Sequence, residues 1–247
     1  MKALILAAGY ATRLMPLTSN KPKALLEINN KPIINYIIES LEKIKEINEI
    51  YVVSNEKFYL QFLDWTNEIK NNNVKILNDG TTSEENRRGA IGDIQFSIEK
   101  ENIDDDLIVI AGDNFFTFDL EEYYNFFKTN ELDCVCAKEI NDIETLKRFG
   151  VGIVDQNNKL LELEEKPQKP KSNLGIYATY IYKKSTLPLV KEYLDLGNNK
   201  DAPGYFIEWL CKRRNILVYK FLEDCYDIGT VESYNYVNKL FTSNKNK

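Results

Sequence analysis

The chain opens on an unbroken apolar run, residues 3–8, stopped by Gly9. A short apolar run closed by glycine predicts a buried strand and then a sharp turn. Residues 25–28 read as a short extended piece ending in the turn pair Asn29-Asn30. From Pro32 onward, Ile33, Ile34, Ile37, Ile38, Leu41 and Ile44 recur at helical spacing, and proline suits a first helical turn. Strand-like runs at 50–53 and 74–77 flank a helical stretch over 57–69 that carries Phe58, Leu60, Phe62, Leu63 and Trp65. This β-α-β-α-β order predicts a parallel sheet covered by helices.

The pattern continues after a polar loop, 78–88. A helix starts at Gly89 and runs to about Lys100. Three acids, Asp104 to Asp106, read as a solvated turn before the apolar strand 107–111. A helix over 120–128 precedes strands at 134–140, 149–154, 160–163 and 176–182. The helix at 187–196 is closed by Gly197, and a second helix follows Asp201-Ala202-Pro203-Gly204. A strand at 216–221 and a helix at 231–241 end the periodic part, and the polar residues 242–247 read as frayed. With no linker or repeat, 1–241 reads as one domain, with a first half to about 115 and a second half after it.

Composition removes several function classes. The net charge of −6 disfavours a nucleic-acid polymer as partner. There is no histidine, so imidazole is unavailable as base or ligand, and any metal must rest on oxygen or sulfur. Cys134, Cys136, Cys211 and Cys225 form no C-x-x-C pair and read as reduced thiols of a cytoplasmic protein. No stretch approaches the ~20 apolar residues of a membrane span, and Met1-Lys2 runs straight into the first strand without a signal peptide.

The chemistry concentrates near the first turn. Small residues at Ala8, Gly9, Ala11 and Thr12 let a ligand approach main-chain N–H groups, which cradle phosphate oxygens. Arg13 suits bidentate phosphate binding and Lys23 acts as a point charge. Asp113 follows the apolar strand 107–111, at the end of the sheet where open α/β folds bind ligands.

Leu6-Ala7-Ala8-Gly9-x-x-Thr12-Arg13-Leu14-x-Pro16-Leu17-Thr18, followed by Lys21-Pro22-Lys23, resembles the signature of sugar-1-phosphate nucleotidylyltransferases. Glu164-Glu165-Lys166-Pro167 and the later Asp227-x-Gly229-Thr230 match the same family. The resemblance implies a three-layer α/β/α Rossmann-like fold with a mixed, mainly parallel central sheet. It also implies transfer of a nucleotidyl group from a nucleoside triphosphate to a sugar 1-phosphate, with release of pyrophosphate. In its terms Arg13 and Lys23 are catalytic. Leu6, Ala8, Gly9, Tyr10, Ala11 and Thr12 contact the nucleotide, and Asn78, Gly80 and Gly89 its base. Gly150, Glu165 and Lys166 bind the sugar phosphate, and Asp113 and Asp227 hold Mg²⁺. Relatives often assemble as dimers or tetramers.

Three departures from the family pattern stand out. Ala11 replaces a second glycine, the loop after Leu77 lacks the usual glutamine, and the region near Asp201 lacks the Glu-then-Thr-Asp pattern that family members acting on glucose 1-phosphate often carry. Overall resemblance favours dTTP or UTP with a hexose 1-phosphate. The alternatives are a cytidylyltransferase for a non-sugar phosphate such as phosphocholine, or a silent nucleotide-sensing regulator. A dinucleotide G-x-G-x-x-G and a P-loop are both absent.

Overall fold

The computed structural model describes residues 1–69 and 71–243. In chain order the strands are β1 (Lys2–Leu6), β2 (Glu27–Ile28), β3 (Lys31–Pro32), β4 (Glu49–Ser54), β5 (Val74–Asn78), β6 (Leu107–Ala111), β7 (Asn114–Phe116), β8 (Asp133–Glu139), β9 (Gly150–Val154), β10 (Leu160–Glu165), β11 (Leu174–Tyr182), β12 (Ile216–Lys220) and β13 (Cys225–Asp227). The helices are α1 (Ile33–Leu41), α2 (Tyr59–Ile69), α3 (Ala90–Glu101), α4 (Leu120–Asn130), α5 (Ile143–Leu146), α6 (Leu187–Asp195), α7 (Pro203–Leu210) and α8 (Val231–Ser243). The central sheet is mixed and mainly parallel, with helices as the covering layers. The chain divides into two compact units that do not follow a single cut. One gathers Ala3–Arg87, Ile110–Glu121 and the segment from Glu223; the other gathers Met1–Lys2, Arg88–Val109 and Glu122–Leu222.

In the first unit the strand order is β1-β4-β5, and β4 and β5 pair in parallel from Ile50↔Val74 to Ser54↔Asn78. Helix α1 buries Ile33, Ile34, Ile37, Ile38 and Leu41, the stripe that the sequence spacing predicts. Asn29 (φ 52°) and Asn30 (φ 62°) form the two-residue turn between β2 and β3. Positive φ at both positions is what a twisted hairpin requires, and Asn tolerates it. A separate ladder joins β7 to β13, with Cys225 opposite Phe116 and Asp227 opposite Asn114. Leu14, Leu26, Ile28, Ile33, Phe115, Ile228 and Val237 form one buried cluster beneath these pieces. Each such side chain contributes about 1.5–3 kcal/mol when buried. The C-terminal helix and the first turn are therefore held by one core.

In the second unit β11 pairs antiparallel with β9 and with β8, and β8 pairs in parallel with β12. A register shift between Tyr177 and Tyr180 marks a bulge in β11. Helix α3 starts at Gly89, whose φ is 78°. The absent side chain matters there: a Cβ would lie 2.6 Å from the Lys200 carbonyl oxygen. The N–H of Ile91 donates to that same carbonyl at 3.0 Å, so residue 200 closes the helix start. Phe206 packs against Tyr182, Tyr193 and Trp209 with ring centroids 5.5–5.9 Å apart.

The three acids before β6 are more than a solvated turn. Asp104 pairs with Lys184 at 2.7 Å, Asp105 with the amino terminus at 2.7 Å, and Asp106 with Lys183 at 3.2 Å. All four cysteines are free thiols, and burial pushes the Cys136 thiol up to about 12. Among the described residues no helix is long and apolar enough to cross a membrane.

Candidate active site

The first turn is built by anchoring its backbone from below. After β1 the chain leaves the ladder, yet Ala7 N–H still donates to Val53 O at 2.9 Å. The Ala8 carbonyl accepts from the buried Asn55 side chain, also at 2.9 Å. Tyr10 is buried and its hydroxyl reaches the Thr81 hydroxyl at 3.4 Å. Ala11 then takes a left-handed conformation, φ 49° and ψ 43°. The turn thus requires positive φ at the position where the family usually has glycine. The fully buried Thr18 hydroxyl donates to the Ala11 carbonyl at 2.9 Å and closes the loop. Sequence reasoning missed Asn55 and assigned no role to Thr18; the Pro-Leu-Thr part of the signature carried that signal.

These anchors shape a recess of about 170 Å³ inside the first unit. Its lining brings together Leu6, Gly9, Ala11, Arg13, Lys23 and Asp113 from the sequence-based set, with Gly112 and Gly229 added. Gly112 is required by close approach: a Cβ there would stand 2.9 Å from the Leu6 carbonyl oxygen, which accepts from Gly112 N–H at 2.9 Å. Lys23 Nζ donates to Asp113 Oδ2 at 2.6 Å, and the lysine side chain is only 12% exposed. Among the described residues Asp113 Oδ1 has no protein donor. The backbone of Asp227 pairs with Asn114, next to Asp113 in sequence, but its side chain lies outside the described residues.

The remaining predicted nucleotide contacts are not part of the recess lining. Ala8 and Tyr10 hold the loop, and Thr12 begins a short 3₁₀ turn, Thr12–Leu14. Asn78 accepts from Gly80 N–H at 2.8 Å and donates to Glu56 at 2.6 Å, an Asx turn that uses the positive φ of Gly80. Gly89 belongs to the second unit, against Lys200.

The predicted acceptor residues lie together within the second unit. Gly150 stands directly opposite Glu165 in the β9–β10 ladder. The Glu165 side chain is 8% exposed, and Lys166 Nζ lies 3.7 Å from its Oε1. Burial raises the Glu165 carboxyl above its ordinary range, against the pull of Lys166. Lys166 holds a φ of 51° immediately before Pro167, a conformation that costs a non-glycine residue about 1–3 kcal/mol. Strain of this kind gathers at binding sites, where it fixes a side chain's exit direction. No set of three or more potential metal-ligating residues occurs among the described residues.

A family model described as nucleotidyl transferase matches residues 2–244. The chain belongs to the nucleotidyl transferase family. Among relatives of this chain is a putative mannose-1-phosphate guanyltransferase of Sulfolobus acidocaldarius, 31% identical over 96% of the chain and 62% of that protein. A UTP–glucose-1-phosphate uridylyltransferase of Haloferax volcanii is 29% identical over 74% of the chain and 72% of its own length. The chain thus spans under two thirds of the first of these relatives. Its fold matches a solved UDP-glucose pyrophosphorylase complexed with UDP-glucose, with a TM-score of 0.84, 21% identity and 98% of each chain covered. It also matches a putative glucose-1-phosphate thymidylyltransferase from Bacillus anthracis, with a TM-score of 0.79, 24% identity, and 98% and 95% coverage. These two likenesses support the Rossmann-like nucleotidyltransferase fold.

Proposed function

We propose that this chain transfers a nucleotidyl group from a nucleoside triphosphate to a sugar 1-phosphate, releasing pyrophosphate, in the cytoplasm. The acceptor is a hexose 1-phosphate and the donor dTTP or UTP. The observation that carries the reading is the recess that joins Gly9, Ala11, Arg13, Lys23 and Asp113 in a nucleotidyl transferase chain. The substrates named for its relatives support a sugar phosphate as acceptor.

The reaction is an in-line attack of a sugar-phosphate oxygen on the α-phosphorus. A phosphate monoester has a second pKa near ~6 and is mostly ionised at neutral pH. The nucleophile needs no general base, which suits a chain without histidine. What the protein must supply is positioning and charge neutralisation for two polyanions. Lys23 meets charge developing at the α-phosphate, and Asp113 fixes its ammonium group. Arg13 holds the β- and γ-phosphates as they depart. Glu165 accepts sugar hydroxyls and Lys166 meets the acceptor phosphate. The donor set fits a Mg²⁺ ion, which takes one or two carboxylates and completes its shell with water and phosphate oxygens. Among the described residues no protein donor reaches Asp113 Oδ1, and Asp113 and Asp227 would hold the ion. Bound there, Mg²⁺ would screen the repulsion between the two phosphate groups.

The test is pyrophosphate release from a matrix of five NTPs, dTTP, UTP, CTP, GTP and ATP. Each is paired with glucose 1-phosphate, mannose 1-phosphate, N-acetylglucosamine 1-phosphate or phosphocholine. Release that needs both a pyrimidine triphosphate and a hexose 1-phosphate supports the reading. Release only with CTP and phosphocholine, or with no pair, overturns it.

A further inference from the structure

Asp201-Ala202-Pro203-Gly204 stands where family members acting on glucose 1-phosphate often carry a Glu-then-Thr-Asp pattern, and it leads into α7. Gly204 faces the Glu165 side chain directly. A Cβ at 204 would lie 1.8 Å from Glu165 Oε2 and 2.7 Å from its Cδ. One turn further along α7, Glu208 Oε2 accepts from the backbone N–H of Glu165 at 3.3 Å. Positions 204 and 208 are four apart and share one helix face. Gly150, opposite Glu165 in the ladder, closes the other side, with a Cβ there reaching Glu165 Oε2 at 2.9 Å. The carboxylate therefore sits in a slot between two glycines, while its own backbone is tethered to the helix that supplies one of them.

We infer that Gly204 is a positioning residue: α7 sets the direction of the Glu165 carboxylate through the missing side chain at 204 and the tether at 208, and so sets how acceptor hydroxyls are bound. This rests on the reading of Glu165 as a sugar-binding group. The displaced atoms are the far end of a flexible glutamate, so an added methyl turns the carboxylate away without disturbing backbone. Alanine is also the better helix former. Gly204→Ala therefore separates folding from acceptor binding.

The experiment compares wild type, Gly204→Ala, Gly204→Ala with Glu165→Asp, and Glu165→Gln. Steady-state kinetics use glucose 1-phosphate and mannose 1-phosphate with the best NTP, and thermal melting is followed in parallel. Gly204→Ala raises KM for the sugar phosphate at least tenfold, with KM for the NTP within twofold and an unchanged melting temperature. The shorter acid in the double variant recovers part of the loss. An unchanged sugar-phosphate KM, or equal rises in both KM values, overturns the inference. A crystal structure of Gly204→Ala gives a readout that needs no turnover. The Glu165 carboxylate displaced from residue 204 supports the inference and an unmoved one overturns it, even if wild type releases no pyrophosphate and the functional reading itself fails.

Discussion

Ala11 carries the first turn in a backbone conformation that alanine resists, and replacing it with glycine measures that resistance. At φ 49° and ψ 43° its Cβ crowds the following carbonyl, which costs an L-residue about 1–2 kcal/mol. Ala11→Gly removes this cost. It also frees the unfolded chain, which takes back about 0.4–1 kcal/mol. Ala11 is half-buried and its methyl packs on the cluster that contains Leu14. Losing part of that contact returns a further ~0.4 kcal/mol, half the value of a buried methylene. The net is a gain of about 0.4 kcal/mol, or roughly 1 °C in melting temperature for a chain of this size. Ala11→Val adds a β-branched side chain at positive φ and lowers stability by about 2 kcal/mol or more. The assay is urea unfolding of the three proteins under identical conditions, with pyrophosphate release alongside. Turnover of Ala11→Gly stays within about twofold, since the Thr18 bond to carbonyl 11 is retained. A loss of more than about 1 kcal/mol in Ala11→Gly, the usual penalty for introducing glycine, refutes the claim that the turn is strained at this residue.

Lys23→Ala lowers kcat by about 10²-fold and changes KM for the sugar phosphate little, because its charge is needed most as the α-phosphate reacts; steady-state kinetics read the split. Asp113→Asn raises the Mg²⁺ concentration for half-maximal activity by roughly tenfold or more, measured by metal titration at fixed NTP. Burial raises the Glu165 carboxyl, so the native state keeps that proton at pH values where the unfolded chain has released it. Its contribution is then greatest at low pH and is lost as pH rises through the raised pKa. The melting-temperature difference, Glu165→Gln minus wild type, consequently grows more positive from about pH 4 to about pH 7; a difference that shrinks over that window contradicts the burial argument.

The alternation of apolar runs made the main elements legible, because β4, β5, β6, α1 and α6 each bury a stripe that propensity and spacing already mark. The signature around Gly9 foretold the recess for a similar reason: small residues and two cations are packed into one short stretch. Two short elements were illegible. The three-residue strands β7 and β13 have no period to read, and their pairing depends on Phe115 and Ile228 reaching a core built from distant segments. The anchor Asn55 was hidden because a buried amide declares its role only through its partner. Gly89 and Gly204 show the same limit. Each is a glycine because something presses against it, the Lys200 carbonyl in one case and the Glu165 carboxylate in the other. Spacing along the chain contains neither contact.

Where the α-phosphorus goes tests the account most directly. With α-³²P-labelled dTTP or UTP, unlabelled hexose 1-phosphate and Mg²⁺, the label should appear in a sugar nucleotide, one mole for each mole of pyrophosphate. Omitting the sugar phosphate should abolish that transfer, and replacing Lys23 with alanine should slow it by about 10²-fold. Label recovered as free nucleoside monophosphate without the sugar phosphate, or label that remains in the triphosphate under every condition, would contradict nucleotidyl transfer by this recess.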